Sequence, residues 1–346
     1  MALPFPNHPN LRGGFAPIQM ECEVHDLVVV GDVPKDLNGS LYRNGPNPQF
    51  APRGFYHWFA GDGMVHAFHI EDGRVSYINR WARTQKWLLE RDAGRALFNP
   101  FDPMQQDPSV AGLETDGVAN TNIIWHGGKL LALEEGHAPF ELDPLSLESI
   151  GAHDYAGKLK GPMTAHPKID HATGEMLFFG YNADGSISAQ MTFNVVDKDG
   201  QLVRSESFQA PYASMVHDFM VTCEFPRLDE RRTGLSYRYG YFSADSKPAD
   251  KVGGFNQIAC VDHHTGNVDT YDVGEGRAVS EPVFVPKSES AAEGEGYVLA
   301  YVFDANRQAS NLLILDAQNI GSGPLANAYL DHRVPFGFHG NWRQAQ

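Results

Sequence analysis

The segment Asp170-His-Ala-Thr-Gly-Glu-Met-Leu-Phe-Phe-Gly-Tyr181 contains the pattern that recurs along this chain and decides its fold. An aspartate and a glycine bracket a tight turn, and an apolar run follows directly. Similar turns occur at Ile70-Glu-Asp-Gly-Arg74, Asp197-Lys-Asp-Gly200 and Asp262-His-His-Thr-Gly266, each between two strand-like runs. An Asx residue before glycine in this setting is typical of a β-hairpin. The sequence therefore predicts repeated hairpins.

Strand-like runs also account for most of the remaining pattern. The 35 glycines and 22 prolines are spread through all 346 residues, which disfavours helices. The clearest strand runs are residues 26–30, 64–70, 74–79, 122–125, 129–133, 176–181, 257–261, 297–303 and 311–315. One short helix is predicted over residues 85–97, in a loop and helical cap. We expect a single all-β domain over residues 1–346, either a β-propeller or an array of β-sandwiches.

Charge and cysteine content limit the possible partners and the compartment. Lys and Arg total 27 against 43 for Asp and Glu, and this net charge of −16 argues against a nucleic-acid partner. Cys22, Cys223 and Cys260 form no CxxC pair, so a reducing cytoplasm is expected. The sequence contains no run of eighteen apolar residues, so no membrane-spanning helix is predicted. Peripheral membrane contact is left open.

Three of the 15 histidines lie in short apolar contexts at expected strand ends. They are His166 in Met163–Lys168, His217 in Met215–Phe219 and His339 in Val334–Trp342. A propeller can direct one imidazole from each of several blades toward its axis. Their wide separation in sequence, taken alone, favours three buried histidines over one shared metal site.

Several motifs in order resemble the carotenoid cleavage oxygenase family. Leu37-Asn-Gly-Ser-Leu-Tyr-Arg-Asn-Gly-Pro-Asn47 and Trp58-Phe-Ala-Gly-Asp-Gly-Met-Val-His-Ala-Phe68 are similar to the N-terminal signature of that family. The contexts of His166 and His217 follow, and then Glu224-Phe-Pro-Arg227, Glu281-Pro-Val-Phe-Val-Pro286 and Gly337-Phe-His-Gly340. The resemblance extends through most of the chain.

This resemblance implies a seven-bladed β-propeller that holds iron(II) on its axis through four histidines, with three glutamates behind them. Matched residue by residue, the metal ligands here are His166, His217 and His339. The glutamates are Glu135, Glu224 and Glu281, and each is expected to accept the outer imidazole N–H and so fix the ring orientation. Glu134, beside Glu135, is expected to be a solvated loop carboxylate.

The chain departs from the family pattern at one place. In the family, roughly two blades separate the second-ligand motif from the Glu-Phe-Pro motif and supply a further histidine, whereas here His217 is followed almost directly by Glu224. His263 and His264 lie in a hairpin turn and are rejected as substitutes. Either the chain has a real internal deletion, or two separated segments are joined between residues 222 and 224, and the second interpretation is favoured.

The resemblance implies a dioxygenase that cleaves a carbon–carbon double bond of an apolar conjugated substrate into two carbonyl products. Beyond the metal ligands no catalytic residue is expected. Phe59, Phe101 and Phe338 are candidates for the substrate tunnel, although such residues are often simply core. Phe101 and Glu134 stand where stilbene-cleaving members have a tyrosine and a lysine, which favours an apocarotenoid over a hydroxystilbene.

Two other classes of function are also considered. A propeller that has lost its metal would bind an apolar ligand or a protein without catalysis, and the missing fourth histidine supports this alternative. A propeller hydrolase would bring Asp, Asn and Glu oxygens to a calcium ion, and the histidine contexts argue against it.

Overall fold

The computed structural model describes residues 3–185, 187–218, 226–245 and 254–345, which form five antiparallel sheets, named blades I to V here. In spatial order, blade I contains β1 (Glu23–Val24), β5 (Arg74–Trp81), β4 (Gly63–Glu71), β3 (Gly39–Pro46) and β23 (Gly340–Gln344). Blade II contains β6 (Asn122–His126), β7 (Lys129–Leu133), β8 (Phe140–Leu142) and β9 (Ser149–Ala152). Blade III contains β10 (Lys168–Ile169), β11 (Met176–Gly180), β12 (Gln190–Val196) and β13 (Leu202–Gln209).

The two remaining blades follow the same antiparallel plan. Blade IV contains β14 (Arg227–Leu228), β15 (Tyr239–Ala244), β16 (Gln257–Asp262) and β17 (Val268–Asp272). Blade V contains β18 (Arg277–Val279), β20 (Gly296–Asp304), β21 (Ala309–Asp316), β22 (Pro324–Tyr329) and β2 (Val28–Gly31), with β19 (Val283–Pro286) also paired to β20. The ends of the chain interlock, because β2 joins blade V and β23 joins blade I.

Helix is scarce in the described residues. The predicted helix is confirmed as α1 (Gln85–Ala93), which begins with the Thr84 hydroxyl accepting a hydrogen bond from the Trp87 amide. It ends four residues before the predicted end, because Gly94 adopts a left-handed conformation (φ 65°) that terminates the helix. Single turns of 3-10 helix occur at Pro9–Leu11, Gly13–Phe15, Trp58–Ala60, Pro103–Gln105, Pro108–Val110, Glu230–Arg232 and Ile320–Ser322. None of the described helices is both long and apolar enough to cross a membrane.

Packing between neighbouring blades buries many strands on both faces. All nine residues of β20 are buried: Tyr297 and Leu299 pack against blade I, whereas Val298 and Ala300 pack against blade IV. Successive side chains of a strand point to opposite faces, so a strand between two blades is apolar on both. This is why the sequence shows continuous apolar runs. The four predicted hairpin turns are confirmed between paired strands.

Blades III and IV follow each other in the chain but share no apolar core in the described residues. Apolar clusters join blade I to II, II to III, IV to V and V to I, but no cluster in the described parts of the chain joins III to IV. All residues of β13 after Leu202 are exposed, including Val203 and Phe208. The five described blades are two fewer than the seven expected. Residues 222 and 224, where the sequence predicts the junction, lie outside the described residues.

Candidate metal centre

Three separate elements bring the predicted histidine ligands together. His166 precedes β10 and is buried, and its backbone amide donates to the Thr164 hydroxyl at 3.1 Å. His217 lies in the segment that follows β13, and His339 directly precedes β23. The ring centroid of His166 is 4.6 Å from that of His217 and 4.8 Å from that of His339. Residues 173 positions apart in sequence are thus in ring contact.

The distance between imidazole nitrogens suits a shared cation. The Nε2 atoms of His166 and His217 are 3.2 Å apart. Two imidazole nitrogens bound at about 2.1 Å to adjacent positions of one metal ion would be about 3 Å apart. The pKa of His166 is lowered to about 2, first by burial and then by His339 and His217, so this ring is neutral at ordinary pH. Neutral imidazole is the form that binds metal ions.

Two of the predicted glutamates lie behind these rings. Glu135 Oε1 is in ion-pair contact with Nδ1 of His217, and Glu281 Oε1 accepts from Nδ1 of His339 at 3.0 Å. A carboxylate at Nδ1 places the proton there and leaves the Nε2 lone pair for the metal. Glu135 also belongs to a compact His/Glu group with His166 and His217, within which it contacts Nδ1 of His217. Glu224 lies outside the described residues.

Glu281 is held as a carboxylate despite its burial. Burial opposes ionisation, but Arg227, His339 and the amide of Gly340 outweigh it and lower the pKa of Glu281 to about 2. Its Oε2 accepts from the Gly340 amide at 2.9 Å, and Nε of Arg227 is 3.6 Å from Oε1. The carboxylate therefore fixes both the imidazole of His339 and the adjacent backbone.

Three further residues of the site are not predicted from the sequence. Arg227 contacts Glu281 as described, and Tyr181 donates its hydroxyl to Glu135 at 2.9 Å. Asp218 lies 3.8 Å from Nδ1 of His166 and forms an ion pair with Lys168 at 3.0 Å. Two of these residues lie beside motifs that the sequence already shows: Asp218 directly follows His217, and Arg227 is the last residue of the Glu-Phe-Pro-Arg motif. Their proximity to these motifs could have identified them as candidate site residues.

An aromatic surface adjoins the histidines. The ring of Phe59 is nearly parallel to that of His217, 6.5 Å away, and contacts Phe338 at 4.8 Å. The ring of Phe101 contacts that of His57 in a tilted arrangement, with centroids 4.4 Å apart, and His57 also contacts Phe59. Phe338 is buried, whereas Phe59 and Phe101 are exposed. The structure thus connects all three predicted tunnel residues in one aromatic cluster that reaches a candidate ligand.

The environment of Glu134 corrects one expectation. Its side chain is only 15% exposed and forms an ion pair with Nδ1 of His137, so it is not a solvated loop carboxylate. Burial alone would lower the pKa of His137, but Glu134, Asp116 and Glu114 outweigh it and raise the pKa. The loop conformation brings these two side chains, three positions apart in sequence, into contact.

The rejected histidines lie elsewhere. His263 and His264 are exposed in the turn between β16 and β17. The backbone amide of His263 donates to Arg238 at 2.8 Å, and its ring contacts Tyr237. Neither belongs to the compact His/Glu group found in the described chain.

Comparison with known proteins places this chain in a family. A family model described as retinal pigment epithelial membrane protein matches residues 15–223 and 221–344. An isoeugenol monooxygenase of Pseudomonas nitroreducens is 31% identical, with 97% of this chain and 98% of that protein covered. Carotenoid 9,10(9',10')-cleavage dioxygenase 1 of Arabidopsis thaliana is 28% identical, with 95% and 88% covered.

A solved structure agrees with the fold. The crystal structure of Pseudomonas brassicacearum lignostilbene dioxygenase superposes with a TM-score of 0.94 at 26% identity, covering 99% of this chain and 100% of that one. The fold class predicted from the sequence, an all-β propeller of the carotenoid oxygenase type, is confirmed. With its family model matched over nearly the whole length, the chain belongs to the retinal pigment epithelial membrane protein family, which is the carotenoid oxygenase family.

Proposed function

We propose that this chain is an iron(II)-dependent dioxygenase that cleaves a carbon–carbon double bond of an apolar conjugated substrate into two carbonyl products. The observation that carries the proposal is the convergence of His166, His217 and His339 beside an aromatic surface. The named relatives act oxidatively on isoeugenol, lignostilbenes or carotenoids, which supports oxidative cleavage of an alkene.

The donor set fits a divalent transition metal. His166, His217 and His339 would hold the ion through neutral imidazoles, a ligand type that suits iron, zinc, copper and nickel. The choice of iron among these rests on the family. When bound, iron(II) supplies the redox chemistry by which dioxygen reacts with an alkene. Three protein ligands leave coordination positions open, which that chemistry requires.

The surrounding residues orient the ligand rings, position the substrate and exclude water. Glu135 and Glu281 hold the rings of His217 and His339 in fixed orientations. Phe59 and Phe338 offer a flat apolar surface beside His217, against which a planar conjugated substrate can stack. No side chain is needed to transfer a proton in this reaction.

The polar pair formed by Glu134 and His137 changes the substrate expected. The sequence argument for an apocarotenoid treated Glu134 as an anion that repels a phenolate. Because Glu134 pairs with His137, a protonated His137 would offset its charge, and its carboxylate can accept a hydrogen bond from a neutral phenol. We therefore propose a hydroxyphenyl alkene as the preferred substrate, in line with the isoeugenol and lignostilbene relatives, and an apocarotenoid as the second candidate.

We further propose that residues 1–346 form one domain whose ring is interrupted near residues 222–224. The alignment with the isoeugenol monooxygenase spans 469 positions, more than the 346 residues of the chain. The family match also divides at residues 221–223, and the exposed β13 supports a missing neighbour for blade III. The intact mass of the protein purified from its source tests this: a value well above 38.2 kDa supports joined segments, and 38.2 kDa supports a real deletion.

We also propose a cytoplasmic protein whose partners are the small apolar substrate and dioxygen. Among the described residues, Cys22 and Cys260 are both free cysteines, in line with a reducing compartment. Fractionation of source cells with a cytoplasmic marker enzyme tests this location.

The decisive experiment measures metal content and products together. The chain is loaded with iron(II) without oxygen and then mixed with dioxygen and, separately, isoeugenol, a hydroxystilbene or an apocarotenal. We expect equimolar iron and aldehyde products that carry label from ¹⁸O₂, with the phenolic alkenes cleaved fastest. His217→Ala should abolish both, whereas His263→Ala, a change of an exposed histidine, should not. A folded chain that binds no iron and cleaves nothing would instead support a non-catalytic binding module.

A further inference from the structure

One chain of hydrogen bonds links four blades beside the histidines. In blade IV, an Arg227 guanidinium nitrogen donates to the side-chain oxygen of Asn341 in blade I at 2.8 Å. The Asn341 amide donates to the carbonyl of Ile123 in blade II at 2.7 Å and lies 3.3 Å from Oδ1 of Asn122. The Asn122 amide then donates at 2.7 Å to the carbonyl of Ala165, which leads into blade III.

Both ends of this polar chain attach next to a candidate metal ligand. Arg227 also donates to the carbonyl of Gly340, the residue that follows His339. At the other end, Ala165 directly precedes His166. The polar chain thus connects the backbone beside one ligand to the backbone beside another, although the two belong to different blades.

Hydrogen bonds are needed here because apolar packing alone does not fix the distance between His339 and His166. Blades pack through apolar clusters, and that attraction is non-directional, so blades can slide by fractions of an ångström at small cost. Hydrogen bonds constrain distance and angle much more closely. Asn122 is buried, which strengthens its bonds and makes an unpaired carbonyl at Ala165 costly.

We propose that Arg227, Asn341 and Asn122 are positioning residues that set the spacing between His339 and His166, and thereby the affinity of the site for its metal. This inference rests on the proposed function only in that a metal ion occupies the three-histidine site. It assigns a role to three polar residues that are not themselves candidate metal ligands.

The test compares two buried asparagines. Asn122→Leu removes the polar link to Ala165, whereas Asn311→Leu removes a similarly buried amide that donates to Asn327 in blade V at 2.9 Å. Each variant of the full chain is titrated with Co²⁺ alone, and its visible absorption and its free energy of unfolding are recorded. We expect both variants to lose stability, but only Asn122→Leu to raise the apparent Kd for Co²⁺ about tenfold and to shift the absorption bands.

Arg227→Lys serves as a second variant if Asn122→Leu does not fold. It keeps a positive charge near Glu281, but one ammonium group cannot reach Gly340 and Asn341, which Nη2 of Arg227 contacts, and also Glu230 and Glu281, which Nη1 and Nε face. We expect a smaller rise in Kd in the same direction. Unchanged Co²⁺ affinity and spectra in a folded variant would overturn the inference and leave the proposed function intact. A wild-type chain that binds no Co²⁺ would overturn the proposed function first, and this inference with it.

Discussion

Replacing Glu281 by glutamine should weaken both the fold and the metal site. The carboxylate is 4% exposed, accepts from His339 at 3.0 Å and from Gly340 at 2.9 Å, and lies 3.6 Å from Arg227. Glutamine keeps one acceptor oxygen but no charge, so one charge-assisted bond is lost and Arg227 loses its buried counter-ion. Each such bond contributes about 1.5–3 kcal/mol, and breaking a buried ion pair costs about 3–5 kcal/mol. We expect the free energy of unfolding to fall by about 3 kcal/mol.

Metal binding should weaken as well, because His339 loses the partner that fixes its ring. Loss of such an orienting carboxylate typically weakens metal binding about 10- to 100-fold. Urea unfolding of the metal-free chain and anaerobic iron(II) titration measure the two effects. Glu230→Gln is the matched control: Glu230 also pairs with Arg227, at 3.3 Å, but is half exposed, so its loss should cost about 1 kcal/mol or less. Equal stability and equal iron affinity in the two variants would refute the reasoning.

Other buried groups give further predictions. Burial first, and then His332 and Arg43, lower the pKa of His66 well below 6.5, so only the unfolded chain takes up this proton as the pH falls. The difference in free energy of unfolding between wild type and His66→Gln should change by about 2 kcal/mol, to the disadvantage of wild type, from pH 7 to pH 5. Urea unfolding at both pH values measures it, and a constant difference would contradict this reasoning. Lys86→Met leaves Asp62 and Glu90 as uncompensated buried carboxylates and should lower the free energy of unfolding by about 3–5 kcal/mol; a neutral result would show that they take up protons instead. Phe59→Ala should raise KM for the cleaved alkene with little loss of stability, since its ring is exposed beside the histidines, and an unchanged KM would remove it from the substrate surface.

Local sequence features predicted much of the fold. Turn chemistry identified the hairpin at residues 70–74 and the one at residues 262–266, because an Asx–Gly pair acts on its immediate neighbours. Apolar runs identified β7 and β20, which are buried on both faces. By contrast, β13 (Leu202–Gln209) was missed because its exposed residues form no apolar run. Burial alone did not make a strand predictable: β3 (Gly39–Pro46) is buried throughout but was missed, because its glycines, asparagine and proline interrupt the apolar run.

The candidate site was predictable only in part. The three histidines could be selected through their motifs, but nothing local shows that rings distant in sequence meet. The partnership of Arg227 and Glu281 depends on how blades IV and V lie against each other, so it could not be inferred from spacing. Glu134 and His137 are three residues apart, but their contact depends on the loop conformation, and the expectation of a solvated Glu134 failed for that reason.

A metal ion bound by the three histidines would have a structural task as well as a chemical one. His339 directly precedes β23, the strand that completes blade I, whereas His166 leads into blade III. Blade III is also where the described chain lacks an apolar neighbour on one side. A cation shared by these imidazoles would therefore tie the closing strand to blade III, which shares an apolar cluster with only one other blade in the described chain. Since the rings converge only when the blades are assembled, the free energy of metal binding is also free energy of assembly. Loss of a ligand should thus loosen blade III before it loosens blades I and V, which share a large apolar core.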